Sequence, residues 1–94
     1  MIKHIVMWKL KNSRQNAPAL KAALEGLKEK IPQIRAIEAG VNFNPSDFAA
    51  DVVLYSEFDD TAALAAYQSH PDHVKVAEFL KGVATDRRVV DYEV

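Results

Sequence analysis

The run Tyr67-Gln68-Ser69-His70-Pro71-Asp72-His73 sets a phenol and two imidazoles close together, and a third histidine, His4, stands near the start of the chain. Histidine trades protons near neutral pH without special tuning. If Pro71 bends the backbone between two short helices, Tyr67 at the end of one and His73 in the first turn of the next converge. A neutral imidazole beside a phenol suits enolisation of a carbonyl compound, with Tyr67 holding the oxygen and His73 taking the proton. Trp8, on the opening segment, could line the same pocket and stack on a flat ligand.

The same residues also fit a structural use. Tyr67 follows Leu64 by three positions on one helical face, and His73 adjoins the apolar stripe Val74, Ala77 and Leu80. A tryptophan on a buried strand is usually core. As metal ligands His70 and His73 are a poor set, because they straddle a helix start with no carboxylate pair nearby, and the chain has no cysteine to supply a thiolate. We therefore expect no metal. With three glycines in all, no Gly-rich phosphate loop and no Gly-x-Ser-x-Gly elbow, the sequence argues against nucleotide-dependent chemistry and serine hydrolysis, and no cofactor is expected.

Alternation over Ile2–Leu10 predicts the first strand, with apolar residues on both of its faces, as for a central strand. Asn16 is the expected cap of a helix with Pro18 in its first turn, running to about Lys30 and ended by Pro32. Strands are expected over 35–43 and 51–58, separated by the turn formers Asn44-Pro45-Ser46-Asp47. Asp59 or Asp60 would cap a helix at Thr61–Ser69, and Ser69 or His70 a second one from Pro71 to about Lys81. Gly82 is the expected helix stop, and 87–94 alternates as the last strand.

The order βαββααβ is the α+β, ferredoxin-like plan with a four-stranded antiparallel sheet, and 94 residues leave room for one domain, residues 1–94. Helices on one face leave the other bare although it carries valine and isoleucine, so a partner's sheet is the natural cover. Two such sheets would close into a dimeric α+β barrel around a cavity suited to a small hydrophobic or carbonyl-bearing ligand. A hydrophobic content of 49% in so short a chain without disulfides points to the same homodimer. The 12 basic and 13 acidic residues form no stripe, which argues against nucleic acid and anionic membranes as partners. Lys3, His4 and Lys9 interrupt the opening apolar run, so neither a signal peptide nor a membrane span is expected, and the cytoplasm is the default location.

His4-Ile5-Val6-Met7-Trp8-Lys9-Leu10, Gly40-Val41-Asn42, Phe58-Asp59-Asp60, Tyr67, His70-Pro71-Asp72-His73 and Asp91-Tyr92, taken in that order, resemble the stress-responsive A/B barrel domain (Dabb) family over nearly the whole chain. The resemblance implies a dimeric α+β barrel. The family is functionally mixed, with plant stress-induced proteins, a ring-forming stable protein and olivetolic acid cyclase among its members, so membership confers no activity by itself. By similarity to the cyclase, His73 would be a general base, Tyr67 would orient a carbonyl, and His4 would be a further hydrogen-bonding group in the pocket. The cyclase's tail-binding pocket does not map onto this chain, which puts a polyketide substrate in doubt. Some relatives carry a cation on backbone carbonyls, which would fall near Lys28, Ile31 and Ile34 here. Three readings follow: a cofactor-independent cyclase, isomerase or lyase; a non-enzymatic stress-response or ligand-binding homodimer; and, from the wider barrel group, a monooxygenase-like enzyme.

Overall fold

Strict two-residue alternation in β1 (Ile2–Leu10) buries Ile2, His4, Val6, Trp8 and Leu10 while Met7 and Lys9 stay exposed. A computed structural model describes residues 1–94. β1 is flanked on both sides by antiparallel partners and is thus a central strand of the sheet. The sheet order is β2-β3-β1-β4, with β2 at Ala36–Val41, β3 at Val52–Phe58 and β4 at Ala84–Glu93. This is the ferredoxin-like arrangement, α+β with one four-stranded antiparallel sheet.

Three helices contribute the second layer: α1 (Ser13–Glu25), which runs into a 3-10 turn at Gly26–Glu29, α2 (Thr61–Ser69) and α3 (Pro71–Val83). Leu20, Leu24, Leu27, Leu64, Tyr67 and Val76 from this layer join the inward residues of the strands in a single core of 17 buried side chains. The shortest dimension of the molecule is 18 Å, enough for one sheet and one layer of helices. The other sheet face is therefore uncovered, and it presents Met7, Val53, Val90 and Tyr92 to the outside. Phe43 and Phe48, in the loop between β2 and β3, are almost fully exposed as well.

Several boundaries differ from the sequence expectation. α1 starts at Ser13, and Asn16 does not cap it; Asn16 instead donates its side-chain N–H to the carbonyl of Lys11 at 2.6 Å. The reason is Asn12, whose left-handed conformation (φ 46°) turns the chain straight out of β1 so that its carbonyl accepts from the N–H groups of Gln15 and Asn16. Pro18 consequently lies inside the helix. At the other end, Gly82 does not stop α3, which continues to Val83 and passes directly into β4 at Ala84. No glycine in the chain has a positive φ, so none acts as a left-handed helix cap. β4 thus begins three residues before the expected start at 87, with a register shift opposite Lys9 and Leu10 absorbing the early entry.

Candidate functional site

α2 is started by Asp60, whose carboxylate accepts from the N–H of Ala63 at 2.8 Å, and its Leu64 and Tyr67 point to the sheet. The helix ends at His70 because the residue before a proline is pushed out of the helical region; His70 sits at φ −64°, ψ 136°. Pro71 then opens α3 at a position where its missing N–H costs nothing. The His70 ring is spent on this joint, accepting from the N–H of Asp72 at 3.1 Å. Of the two histidines flanking Pro71, only His73 is left to face the core.

His73 turns back over the end of α2, its Nδ1 lying 3.0 Å from the carbonyl oxygen of Gln68. A carbonyl can only accept, so Nδ1 carries the hydrogen and the neutral ring keeps its lone pair on Nε2. Burial lowers the His73 pKa below the ordinary 6.5, partly offset by the bond to Gln68 and reinforced by the charges of His4 and Arg87. The ring is therefore an unprotonated base at neutral pH.

Tyr67 lies against it, with ring centroids 4.5 Å apart, and also packs on Phe58 at 4.9 Å and His4 at 6.2 Å. The tyrosine is fully buried, and its hydroxyl has no hydrogen-bond partner in the protein. A buried hydroxyl without a partner costs about 1–3 kcal/mol, so the folded chain carries this penalty at Tyr67. Burial pushes the phenol pKa up to about 12, which keeps the O–H as a donor.

His4 reaches the same place from β1. It is buried, and its Nδ1 pairs with the carboxylate of Asp91, which the β1–β4 register sets directly across from it. Ser56, also buried, donates to the backbone carbonyl of His4 at 3.2 Å. These groups open on a cavity of about 90 Å³ between the sheet and α3, whose polar or aromatic lining comes from His4, Trp8, Tyr67, Gln68, His73 and Arg87 and whose remaining walls are aliphatic. The sequence candidates His4, Trp8, Tyr67 and His73 thus all line one cavity.

Three contributors escaped the sequence reading: Gln68, Asp91 and Arg87. Gln68 acts through its carbonyl, which leaves no trace in a side-chain pattern. Asp91 and Arg87 become visible once β4 is paired antiparallel with β1, since they fall opposite His4 and Trp8. No cluster of three His, Asp or Glu side chains has the geometry of a metal site. Near the end of α1, the carbonyl of Ile34 accepts from the Lys28 ammonium at 3.2 Å, so this chain brings its own cation to one of the three carbonyls considered above.

A ferredoxin-like sheet carrying helices on one face, with a small imidazole- and phenol-lined cavity between the layers, defines the class of α+β domain to which this chain conforms. The family model for the stress responsive A/B barrel domain matches residues 2–94, and the chain belongs to that family, Dabb. It is 26% identical over 99 residues to the stress-response A/B barrel domain-containing protein DABB1 of Arabidopsis thaliana, covering 98% of this chain and 46% of DABB1. The chain therefore spans about half the length of that relative. Among solved structures, a dimeric protein of unknown function with a ferredoxin-like fold from Bacteroides fragilis is 37% identical, with a TM-score of 0.90 and coverage of 99% of this chain and 95% of the other. A hydroxynitrile lyase from Passiflora edulis shares the fold at 17% identity, with a TM-score of 0.85 and coverage of 99% and 92%.

Proposed function

We propose that this chain is a single Dabb domain that pairs with a second copy through its open sheet face, forming a dimeric α+β barrel. In this reading the cavity of each subunit performs cofactor-independent acid–base chemistry of cyclase, isomerase or lyase type on a small carbonyl compound. The carrying observation is the buried Tyr67 hydroxyl, unpartnered within the protein and packed against an imidazole held neutral with Nε2 free. Tyr67 donates to the substrate's carbonyl oxygen, His73 Nε2 takes the proton from the adjacent carbon, and the resulting enolate is held by the phenol. His4, fixed by Asp91, is a further hydrogen-bonding group in the cavity, and Trp8 walls the ligand.

The description of the Bacteroides fragilis relative as dimeric supports the pairing. The lyase shows that this fold hosts chemistry, though at its identity the likeness extends to fold alone. No helix is long and apolar enough to cross a membrane, in keeping with the cytoplasmic location we propose.

The test is exchange of α-hydrogens for deuterium in small ketones and aldehydes, followed by proton NMR with the intact protein. Wild type should accelerate exchange, and His73→Ala should lower the rate by about 10²- to 10⁴-fold, the usual worth of a positioned general base. Tyr67→Phe should lower it as well. An absence of enhancement across the panel would favour the alternative, a non-enzymatic stress-response or ligand-binding dimer.

A further inference from the structure

We propose that the ligand of this cavity carries a carboxylate as well as its carbonyl, and that Arg87 binds the carboxylate at the cavity mouth. The inference rests on the proposed reading of the site and specifies its substrate class.

Arg87 sits on β4 opposite Trp8 and lines both the 90 Å³ cavity and an adjoining open recess of about 400 Å³. The two spaces share Trp8, Ala77, Leu80 and Arg87, so a ligand whose carbonyl lies at Tyr67 extends outward past the guanidinium. Arg87 forms no ion pair and no side-chain hydrogen bond. Its neighbours differ: Arg88, on the opposite face of β4, pairs with Asp86 at 3.2 Å, and Lys81, at the rim of the recess, pairs with Glu78 at 3.2 Å.

No aspartate or glutamate lines either space. The nearest acid on the same face of β4 is Asp91, and its carboxylate is engaged by His4. The site thus combines an unpaired guanidinium, a buried phenol O–H and two imidazoles, and the one carboxylate beside it is already taken by His4. A planar guanidinium at an apolar mouth matches a carboxylate through two parallel N–H···O bonds. Bound there, the carboxylate also offsets the positive charge that weakens His73 as a base, so the same group that docks the ligand restores proton affinity to Nε2.

The experiment uses 4-oxopentanoate and its uncharged primary amide, a pair of similar size that differs in charge. Binding is read as chemical-shift changes of the indole N–H of Trp8, the chain's one tryptophan, at low ionic strength. Wild type should prefer the acid at least tenfold, Arg87→Gln should abolish the preference, and Arg87→Lys should retain part of it. Equal affinities in wild type, an undiminished preference in Arg87→Gln, or no shift with either compound would overturn the assignment. Deuterium exchange measured in the same samples separates the two readings. An acid preference without exchange upholds the anion site and defeats the acid–base chemistry, whereas equal exchange of acid and amide does the reverse.

Discussion

The two faces of the sheet are built from the same strands and are both apolar at their centres, yet they have opposite fates. On the helix side Val6, Val52, Leu54 and Phe58 are at most 2% exposed. On the other side Met7 and Val53 are 38% exposed, Tyr92 42% and Val90 51%. What separates them is the presence of α1, α2 and α3, not residue type. The covered face shows what such a surface needs, and the open face, together with the exposed Phe43 and Phe48, states the same need unmet within one chain. Chemistry also divides between them: His4, His73, Tyr67 and the unpaired arginine all line the cavity on the covered side.

The contrast is broken most severely from the covered side. Leu20→Ala should cost about 2–5 kcal/mol in chemical denaturation, the usual penalty for emptying a leucine site in a packed core, since Leu20 is wholly buried. Met7→Ala, on the open face, should cost markedly less as long as subunit concentration is held fixed.

The next test acts on the open face. Val53→Lys places a charge at its centre and should convert dimer to monomer in light scattering at micromolar concentration, with the circular dichroism of the fold retained. A monomeric wild type would remove the need for a second sheet.

Asp60→Ala probes the covering layer more gently. Loss of its cap bond to Ala63 should cost about 1 kcal/mol, seen as a lower melting temperature. The smallest expected effect is a pH dependence confined to the covered side. The His73 pKa is lower folded than unfolded, so the unfolded state binds the proton first. Stability should therefore fall as pH drops through 6.5 towards the folded His73 value and level off below it, and His73→Gln should flatten that slope. For the same reason the acid limb of the exchange rate should lie below pH 6.5.

The strands were readable because alternation survives in β1 and β3 whichever face is covered, and the joint at Pro71 was readable because proline restricts its neighbour whatever the surroundings. Convergence of Tyr67 and His73 followed from that local rule. The start of β4 was not readable: Gly82 carries a stop signal, but Ala84 leaves the helix at φ −80°, ψ 132° without needing a turn residue. Arg87 and Asp91 were hidden for a different reason. Their partnership with Trp8 and His4 depends on the register between the first and last strands, which includes a shift at Lys9 and Leu10 and is set by tertiary pairing. Asn16 misled because the φ of Asn12, which starts α1, has no strong local signature.

The extended His70 between α2 and α3 decides more than where one helix stops. At about 100° per residue, an unbroken helix from Tyr67 to His73 would set the two side chains about 120° apart around its axis, on different sides. One proline and the elbow before it bring them together, so their meeting is written into a seven-residue stretch. A change at Pro71 would scatter the pair without touching either member.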